Sequence, residues 1–300
     1  MTQSLAALAT EQSDPRYSGI DTLSTEEIAR LMNAADAGVP AAVGRAVPAI
    51  SAAIDDVARR MSAGGRLLYV GAGTSGRLAV LDASECPPTF GTRPDLVQGV
   101  IAGGEAALVR SVEGAEDDAE AGAAVILSKN TGPLDSVVGI SASGRAPYVV
   151  AALAQARRLG ALTVALACNE GTPLAAEADH AIEVIVGPEV VTGSTRLKAG
   201  TAQKLVLNMI STITMIRCGR TYGNYMVDVV ASNSKLVDRA ARIVADITGA
   251  ETSAAREVLE DASRDVKTAV VMIERGVGAD DARALLAASG GRLAAALRGA

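Results

Sequence analysis

Histidine and aromatic residues are almost absent from this chain. Its 300 residues include one histidine, five tyrosines, one phenylalanine and no tryptophan. The single histidine, His180, leaves no basis for a histidine-rich metal site and only one candidate for a Ser-His-Asp triad. Few aromatic rings and a net charge of −6 argue against nucleic-acid binding, which needs stacking platforms and positive charge. If the chain is an enzyme, its acid–base chemistry rests mainly on carboxylates, with lysine and tyrosine as weaker candidates.

Cysteines and long apolar runs are also scarce. Cys86, Cys168 and Cys218 are far apart and form no CxxC pair, so no disulfide framework is expected and a reducing compartment fits. The N-terminal segment lacks the basic start and the apolar run of a signal peptide. The uncharged stretch between Lys204 and Arg217 is too short to span a bilayer. These features predict a cytoplasmic protein with no membrane partner.

Short aliphatic runs alternate with helix-length segments in the centre of the chain. The runs are RLLYV (66–70), VQGVIA (97–102), VVGIS (137–141), LTVALA (162–167) and AIEVIV (181–186). Continuous Val/Leu/Ile runs of this kind are typical of parallel strands that are buried on both faces. The sequence therefore predicts an α/β fold, a doubly wound parallel sheet of five strands.

Helices are predicted before, between and after these strands. Ser24 and Glu27 match a capping box that starts a helix. Breaks in the helical pattern are expected at residues 38–40 and near Pro48. Further helices are expected over 76–86, 116–128 and 147–159 and from about Ala199 to Arg217.

The C-terminal part is predicted to form a separate small helical bundle. After Gly249, three short amphipathic segments follow one another and end near glycines. Three domains are therefore expected, namely an N-terminal arm with helices (1–56), the α/β domain with its long following helix (57–247) and a helical domain (248–300).

Two Gly/Ser-rich loops follow strands of the predicted sheet. Residues 71–76 (GAGTSG) follow the first strand, and residues 141–145 (SASGR) follow the third. Open α/β sheets bind ligands beyond the carboxyl ends of their strands, and hydroxyls with free N–H groups at a helix start favour phosphate. Either loop can also be read as a tight turn only. The candidate phosphate ligands are Gly73, Thr74, Ser75, Ser141, Ser143 and Gly144.

The first loop also matches the GxGxxG pattern of dinucleotide-binding folds, through Gly71, Gly73 and Gly76. In those folds an acidic residue at the end of the next strand binds the ribose. Here the second run is followed by Gly103 and Gly104 instead. The hydroxyls of the loop suit a phosphomonoester better, so NAD binding is the weaker alternative.

A third polar segment, residues 192–201 (TGSTRLKAGT), opens the long helix. It combines hydroxyls with two cations, Arg196 and Lys198, although the whole chain has only five lysines. Ser194, Thr195 and Lys198 are candidate ligands of a phosphate or a carboxylate. The alternative is an ordinary helix start with solvated charges.

Glu85 and Glu116 stand out by position. Pro87 and Pro88 are expected to end the helix just after Glu85, and a helix C-terminus with apolar neighbours favours the protonated carboxyl of a general acid. Glu116 lies where the next helix is expected to begin, and that position favours the ionised form that a base needs. The residues alone leave open that Glu85 is a solvated carboxylate and that Glu116 reflects common N-terminal enrichment in acids.

Five long motifs cover much of the chain. They are GGRLLYVGAGTSGRLAVLDASECPPTFG (64–91), SVEGAED (111–117), GISASGRAPYV (139–149), VVTGSTRLKAGTAQKLVLNMIST (190–212) and YGNYMVDVVASNSKL (222–236). They closely resemble the N-acetylmuramic acid 6-phosphate etherases, and the resemblance extends from about Thr10 to the C-terminus. It implies a sugar isomerase (SIS) domain, a C-terminal region that resembles a ubiquitin-associated (UBA) domain, and a homodimer. The chain departs from the family pattern at two positions. Asp14 stands where the family usually has Asn, and Ala79 stands where Gly is common.

The resemblance also implies an activity. Etherases cleave the D-lactyl ether of N-acetylmuramate 6-phosphate by elimination and then hydration, in the recycling and catabolism of cell-wall amino sugars. The products are N-acetylglucosamine 6-phosphate and D-lactate, and no metal or redox cofactor is needed. By motif match, Glu85 is the proton donor to the departing lactyl oxygen, and Glu116 is the second catalytic glutamate, which removes the C2 proton or activates water.

Two other functions remain open on the same fold. One is a non-catalytic sugar-phosphate sensor like the glucokinase regulatory protein, and the other is an aldose–ketose isomerase. The presence of both glutamates within their full motifs favours the etherase.

Overall fold

The structure is a computed structural model that describes residues 8–231 and 233–298. The chain divides into two compact units. The first comprises Met1–Ser84 and Asp95–Thr212, and the second comprises Glu85–Pro94 and Ile213–Ala300. The three predicted domains, with boundaries after residues 56 and 247, stay a prediction.

The first unit contains a parallel five-stranded sheet with the strand order β2-β1-β3-β4-β5. Its strands are β1 (Leu67–Gly71), β2 (Val97–Ile101), β3 (Ser136–Ser141), β4 (Leu162–Ala167) and β5 (His180–Glu183). All residues of β1, β3 and β4 are buried, as their aliphatic composition requires. The doubly wound sheet that the sequence predicts is confirmed.

Helices connect and flank these strands. They are α1 (Thr25–Asp36), α2 (Val39–Ser62), α3 (Gly73–Phe90), α4 (Ala106–Val109), α5 (Ala119–Ser128), α6 (Pro147–Arg158), α7 (Pro173–Ala176) and α8 (Lys198–Arg217). The predicted capping box is present, since Ser24 Oγ accepts from the Glu27 N–H and a Glu27 carboxylate oxygen accepts from the Ser24 N–H. Helix α6 packs on β1, β3 and β4, and α2 packs on β4 and β5.

Two predicted helix breaks are wrong. Helix α2 continues through Pro48, and α3 continues through Pro87 and Pro88 to Phe90. Each proline removes one backbone hydrogen bond and normally kinks or ends a helix. In α2, Ala46 and Ile50 are buried on either side of Pro48, so tertiary packing keeps the helix continuous.

One helical stretch, Thr25–Ser62, is long and apolar enough to span a membrane by length and composition alone. Of its most apolar window, 39% is buried inside the protein, and α2 packs on the sheet. A helix that buries one face against a sheet is typical of a protein core.

The second unit is helical. It contains α9 (Ser234–Thr248), α10 (Thr252–Asp261), α11 (Val266–Arg275), α12 (Ala279–Ala288) and α13 (Leu293–Arg298). Val244, Leu259 and Val270 belong to its buried aliphatic core. The predicted bundle is therefore confirmed, although four helices rather than three follow Gly249 among the described residues.

The strand order places a switch point between β1 and β3. The chain moves from β1 outward to β2 and then returns to the other side of β1, so the loops after β1 and β3 leave the same sheet edge side by side. Gly71 pairs with Ile140, one residue before Ser141. Ligands of open α/β sheets bind at such a switch point.

Candidate functional site

The turn between β1 and α3 is built around three glycines. A Cβ atom on Gly71 would lie 2.6 Å from the backbone nitrogen of Gly76, and one on Gly76 would lie 2.5 Å from Cγ1 of Ile101. Both positions exclude a side chain because α3 begins directly against β1 and β2. Gly73 has φ +52° and open space around it, so only its backbone conformation favours glycine. Packing and backbone geometry thus explain the GxGxxG pattern without a dinucleotide.

Thr74 and Ser75 attach this turn to helix α8. Ser75 is buried, and its hydroxyl donates to Oε1 of Gln203 over 2.9 Å. A Cβ atom on Gly200 would lie 3.4 Å from Cγ2 of Thr74, so the turn and α8 approach closely. Sequence reasoning missed Gln203, whose only signal is an amide in the second turn of α8. This residue fixes the orientation of the Ser75 hydroxyl.

Hydrogen bonds of its own serines hold the loop after β3 (residues 141–145) closed. Oγ of Ser141 accepts from the N–H of Gly144 over 3.1 Å and lies 3.3 Å from Oγ of Ser143. Gly144 has φ +69°, and a Cβ atom there would lie 2.4 Å from Cβ of Thr172. Only glycine fits this position, and the two serines therefore stand next to each other at the carboxyl edge of the sheet.

Arg145 follows this loop directly. Its Nε atom is buried and has no hydrogen-bond partner among the described residues. The N–H of Arg145 donates to Oγ of Ser143 over 3.3 Å. Arg145 ends the loop SASGR but is not among the ligands that the sequence predicts, although a cation beside two serines suits an anionic ligand.

An internal carboxylate occupies the start of helix α8. Glu189 is 1% exposed, and its two oxygens accept from the N–H groups of Lys198 (3.0 Å) and Ala199 (2.9 Å). The carboxylate satisfies these N–H groups and complements the positive end of the helix dipole. This helix start therefore adds no free N–H groups from its first two residues to the phosphate site predicted from residues 192–201.

Within residues 192–201, Lys198 differs from Ser194 and Thr195 in its hydrogen bonding. Lys198 is buried, and its Nζ donates to the carbonyl oxygen of Val186 over 2.8 Å. Ser194 and Thr195 are partly buried, and their hydroxyls have no hydrogen-bond partner among the described residues. The hydroxyls of this segment are thus open to a ligand, whereas the lysine is already engaged.

A cleft of about 220 Å³ opens beside the first loop. Its lining includes Gly73 and Glu116, two of the residues selected from sequence, together with Arg77, Arg110 and Glu113. The cleft combines two carboxylates and two cations next to the switch point. This is the charged environment in which proton transfer on a small anionic ligand is feasible.

Glu116 is exposed and lies in a single 3₁₀ turn, Ala115–Asp117. Helix α5 begins three residues later than the sequence predicted, because Asp118 is its N-cap and accepts from the N–H of Ala121. The carboxylate of Glu116 has no hydrogen bond or ion pair among the described residues. It is therefore free to accept a proton from a ligand in the cleft.

Glu85 lies on α3 and is exposed, in the part of that helix that belongs to the second unit. Because α3 continues to Phe90, the predicted helix end just after Glu85 is wrong, and the exposure of Glu85 agrees with the alternative of a solvated carboxylate. One turn earlier, Asp82 accepts from Nδ2 of Asn208 (2.7 Å) and from Oγ of Ser211 (3.1 Å). These two bonds fasten α3 to α8 just before Glu85.

Across residues 8–231 and 233–298, no group of three or more His, Cys, Asp or Glu side chains has the proximity that a metal ion requires. Cys86, Cys168 and Cys218 all lie in the described part of the chain and form no disulfide there, and Cys168 is buried.

Three family models match successive parts of the chain. The glucokinase regulatory protein N-terminal SIS domain matches residues 49–157, and the SIS domain matches residues 120–213. The C-terminal lid domain of glucokinase regulatory protein matches residues 223–275. The matches cover the sheet and most of the helical unit.

Curated relatives decide the family. The N-acetylmuramic acid 6-phosphate etherase of Streptomyces avermitilis is 58% identical over 296 residues, which cover 99% of this chain and 95% of the relative. That of Rubrobacter xylanophilus is 55% identical over 294 residues, or 98% of either chain. The chain belongs to the N-acetylmuramic acid 6-phosphate etherase family. The resemblance that the five motifs indicated is confirmed.

A solved structure supports the fold. A phosphoheptose isomerase from Francisella tularensis superposes with a TM-score of 0.53 at 19% identity, over 65% of this chain and 100% of that chain. At this identity the likeness concerns the fold alone, and it agrees with the SIS domain that the etherase family implies.

Proposed function

We propose that this chain cleaves the D-lactyl ether of N-acetylmuramate 6-phosphate and releases N-acetylglucosamine 6-phosphate and D-lactate. The observation that carries the proposal is the unpaired carboxylate of Glu116 in a cleft beside Gly73, at the switch point of a sheet with two serine loops. The names of the etherase relatives, at 55% and 58% identity over nearly the full chain, support the same substrate.

The proposed reaction needs one base and one acid. With the sugar ring open, the C1 aldehyde acidifies the proton on C2, and Glu116 removes that proton. The electron pair of the C2–H bond forms a C2=C3 double bond, the C3–O bond breaks, and the lactyl oxygen takes a proton from Glu85. Water then adds to C3 and gives a proton to Glu85, while Glu116 returns a proton to C2.

The loops at the sheet edge are proposed to hold the phosphate. Thr74, Ser141 and Ser143 offer hydroxyls, and Gly73 offers a backbone N–H. Ser75 and Gly144 hold the two loops in shape through their hydrogen bonds to Gln203 and Ser141. Ser194 and Thr195 add open hydroxyls, and Lys198 contributes positive charge from its buried position. This assignment needs no metal or redox cofactor.

We also propose that the enzyme acts in the cytoplasm as a homodimer in the recycling of cell-wall amino sugars. The three cysteines, which form no disulfide among the described residues, fit a reducing compartment. Sedimentation equilibrium tests the oligomeric state, and twice the 30.3 kDa chain mass is expected.

A coupled D-lactate assay tests the catalytic assignment. Glu116→Gln and Glu85→Gln are expected to lower lactate release by at least about 100-fold, since each removes a proton-transfer group. Both variants should still bind N-acetylglucosamine 6-phosphate. Glu120→Gln, at an exposed position in the first turn of α5, is the matched control and should retain wild-type turnover. Normal turnover of Glu116→Gln would remove Glu116 from the mechanism.

A further inference from the structure

The proposed substrate carries two anionic groups, a phosphate and the carboxylate of its lactyl arm. The cleft that contains Glu116 also contains Glu113, so a carboxylate that enters it meets two like charges. Like charges at short range raise the free energy of the complex unless a cation lies beside the ligand. Arg77 and Arg110 are the cations that line this cleft.

The guanidinium of Arg77 already makes hydrogen bonds within the protein. Its Nε donates to the carbonyl oxygen of Leu108 over 3.0 Å, and its Nη2 donates to the carbonyl oxygen of Arg110 over 3.3 Å. Arg77 lies on α3, so these bonds fasten α4 and the residue after it to that helix. Arg77 therefore positions the wall of the cleft.

Arg110 combines a fixed backbone with a free side chain. Its N–H donates to the carbonyl oxygen of Ala106, and its own carbonyl accepts from Arg77. Its guanidinium is exposed and has no hydrogen bond or ion pair among the described residues. Five unused donors in a planar fork fit the two oxygens of a carboxylate.

We propose that Arg110 binds the carboxylate of the lactyl arm and thereby selects a carboxylate-bearing ether of the sugar phosphate over the sugar phosphate alone. The inference rests on the proposed function for the identity of the substrate. It differs from the phosphate site, because the loops after β1 and β3 recognise both ligands whereas Arg110 contacts only the one with the lactyl arm.

Binding to an inactive background separates this inference from the catalytic one. In Glu116→Gln, dissociation constants for N-acetylmuramate 6-phosphate and N-acetylglucosamine 6-phosphate are measured with and without Arg110→Ala. Arg110→Ala removes a charge-assisted pair, so the dissociation constant for N-acetylmuramate 6-phosphate is expected to rise about 10- to 100-fold. The dissociation constant for N-acetylglucosamine 6-phosphate is expected to stay within twofold. Arg110→Lys should recover part of the loss, and Arg158→Ala, an exposed arginine of α6, should change neither constant.

The outcomes are distinct. Equal weakening of both ligands, or no weakening of either, overturns the role of Arg110. An unchanged melting temperature of Arg110→Ala excludes unfolding as the cause of any loss. Absence of lactate release by the wild-type enzyme would instead overturn the proposed function, and the ratio of the two dissociation constants would still decide the role of Arg110.

Discussion

Two helix starts in the first unit have similar sequences and different surroundings. Both α3 and α8 begin at or just after segments rich in Gly, Ser and Thr, which predicted a phosphate site at each. At α8 the carboxylate of Glu189 occupies the first N–H groups. At α3 the residue Gly73 faces a cleft with an unpaired glutamate and an unpaired arginine.

This difference indicates which of the two helix starts is able to bind an external anion. A helix start that is filled by a side chain of the same protein is stabilised as a structural joint. A helix start that opens on a cleft keeps its capacity for a ligand. The sequence alone does not separate the two cases, because Glu189 lies nine residues before the N–H group that it binds.

Replacing Glu189 with alanine is expected to have the largest effect. The change leaves two buried N–H groups without an acceptor, which costs about 1–3 kcal/mol for each group. The free energy of unfolding, measured in urea, should fall by about 2–5 kcal/mol. Glu120→Ala, at an exposed helix start, should change it by less than about 1 kcal/mol. A loss below about 1 kcal/mol for Glu189→Ala would contradict the view that this carboxylate is a structural joint.

Alanine at two glycines compares a crowded loop with an open one. Gly144→Ala adds a left-handed backbone penalty of about 1–2 kcal/mol to a clash with Thr172. Gly73→Ala adds only the backbone penalty, since no atom lies within 4 Å of its Cβ position. Thermal unfolding should therefore show a larger loss for Gly144→Ala. Equal losses would mean that the first turn is as tightly packed as the second.

Ser141→Ala is expected to affect ligand binding more than stability. The hydroxyl stands beside that of Ser143 at the sheet edge, where we place the phosphate. KM for the sugar phosphate should rise about 3- to 10-fold with little change in kcat, as for loss of one hydrogen bond. Ser128→Ala, on the exposed side of α5, serves as the control. If KM does not change, the phosphate lies elsewhere, and residues 194–198 become the next candidates.

The smallest expected effect concerns Asp14, a partly buried residue next to Arg16. A hydrogen bond from the Arg16 side chain, with further contributions from the Arg16 N–H and the charge of Lys198, lowers the pKa of Asp14 to about 2. A lowered pKa stabilises the fold above the unfolded value near 3.8, and the contribution is lost as pH falls toward 2. An NMR titration should give a midpoint near 2, and Asp14→Asn should remove this pH dependence. A midpoint at or above 3.8 would show that the pair with Arg16 does not persist in solution.

The sheet could be predicted from the sequence because each strand is an aliphatic run between turn-forming residues. The predicted run 162–167 coincides with β4, and 137–141 differs from β3 by one residue. The positions of the two glycine loops were also predicted, since the structure has them directly after β1 and β3. Their role in phosphate binding and the role of Glu116 stay predictions. The continuation of α2 through Pro48 could not be predicted, because packing outweighs the loss of one backbone hydrogen bond there.

The parts that sequence could not give depend on contacts between distant segments. Gln203 and Ser75 are 128 positions apart, and only the fold brings them together. Arg110 looks like any surface arginine until the structure shows that Arg77 holds its backbone and that Arg110 lines the cleft. Such assignments require coordinates, since no local pattern distinguishes a free guanidinium from a paired one.

Proton exchange at C2 tests the central claim most directly. The enzyme is incubated with N-acetylmuramate 6-phosphate in deuterium oxide, and the released N-acetylglucosamine 6-phosphate is analysed by NMR and mass spectrometry. An elimination through Glu116 predicts one deuterium at C2 of the product for each D-lactate released, and loss of both signals in Glu116→Gln. Because Glu116 is exposed, the proton that it takes from C2 should exchange with solvent before a proton is returned. Release of D-lactate with hydrogen retained at C2 would therefore contradict the role of an exposed Glu116 as the base.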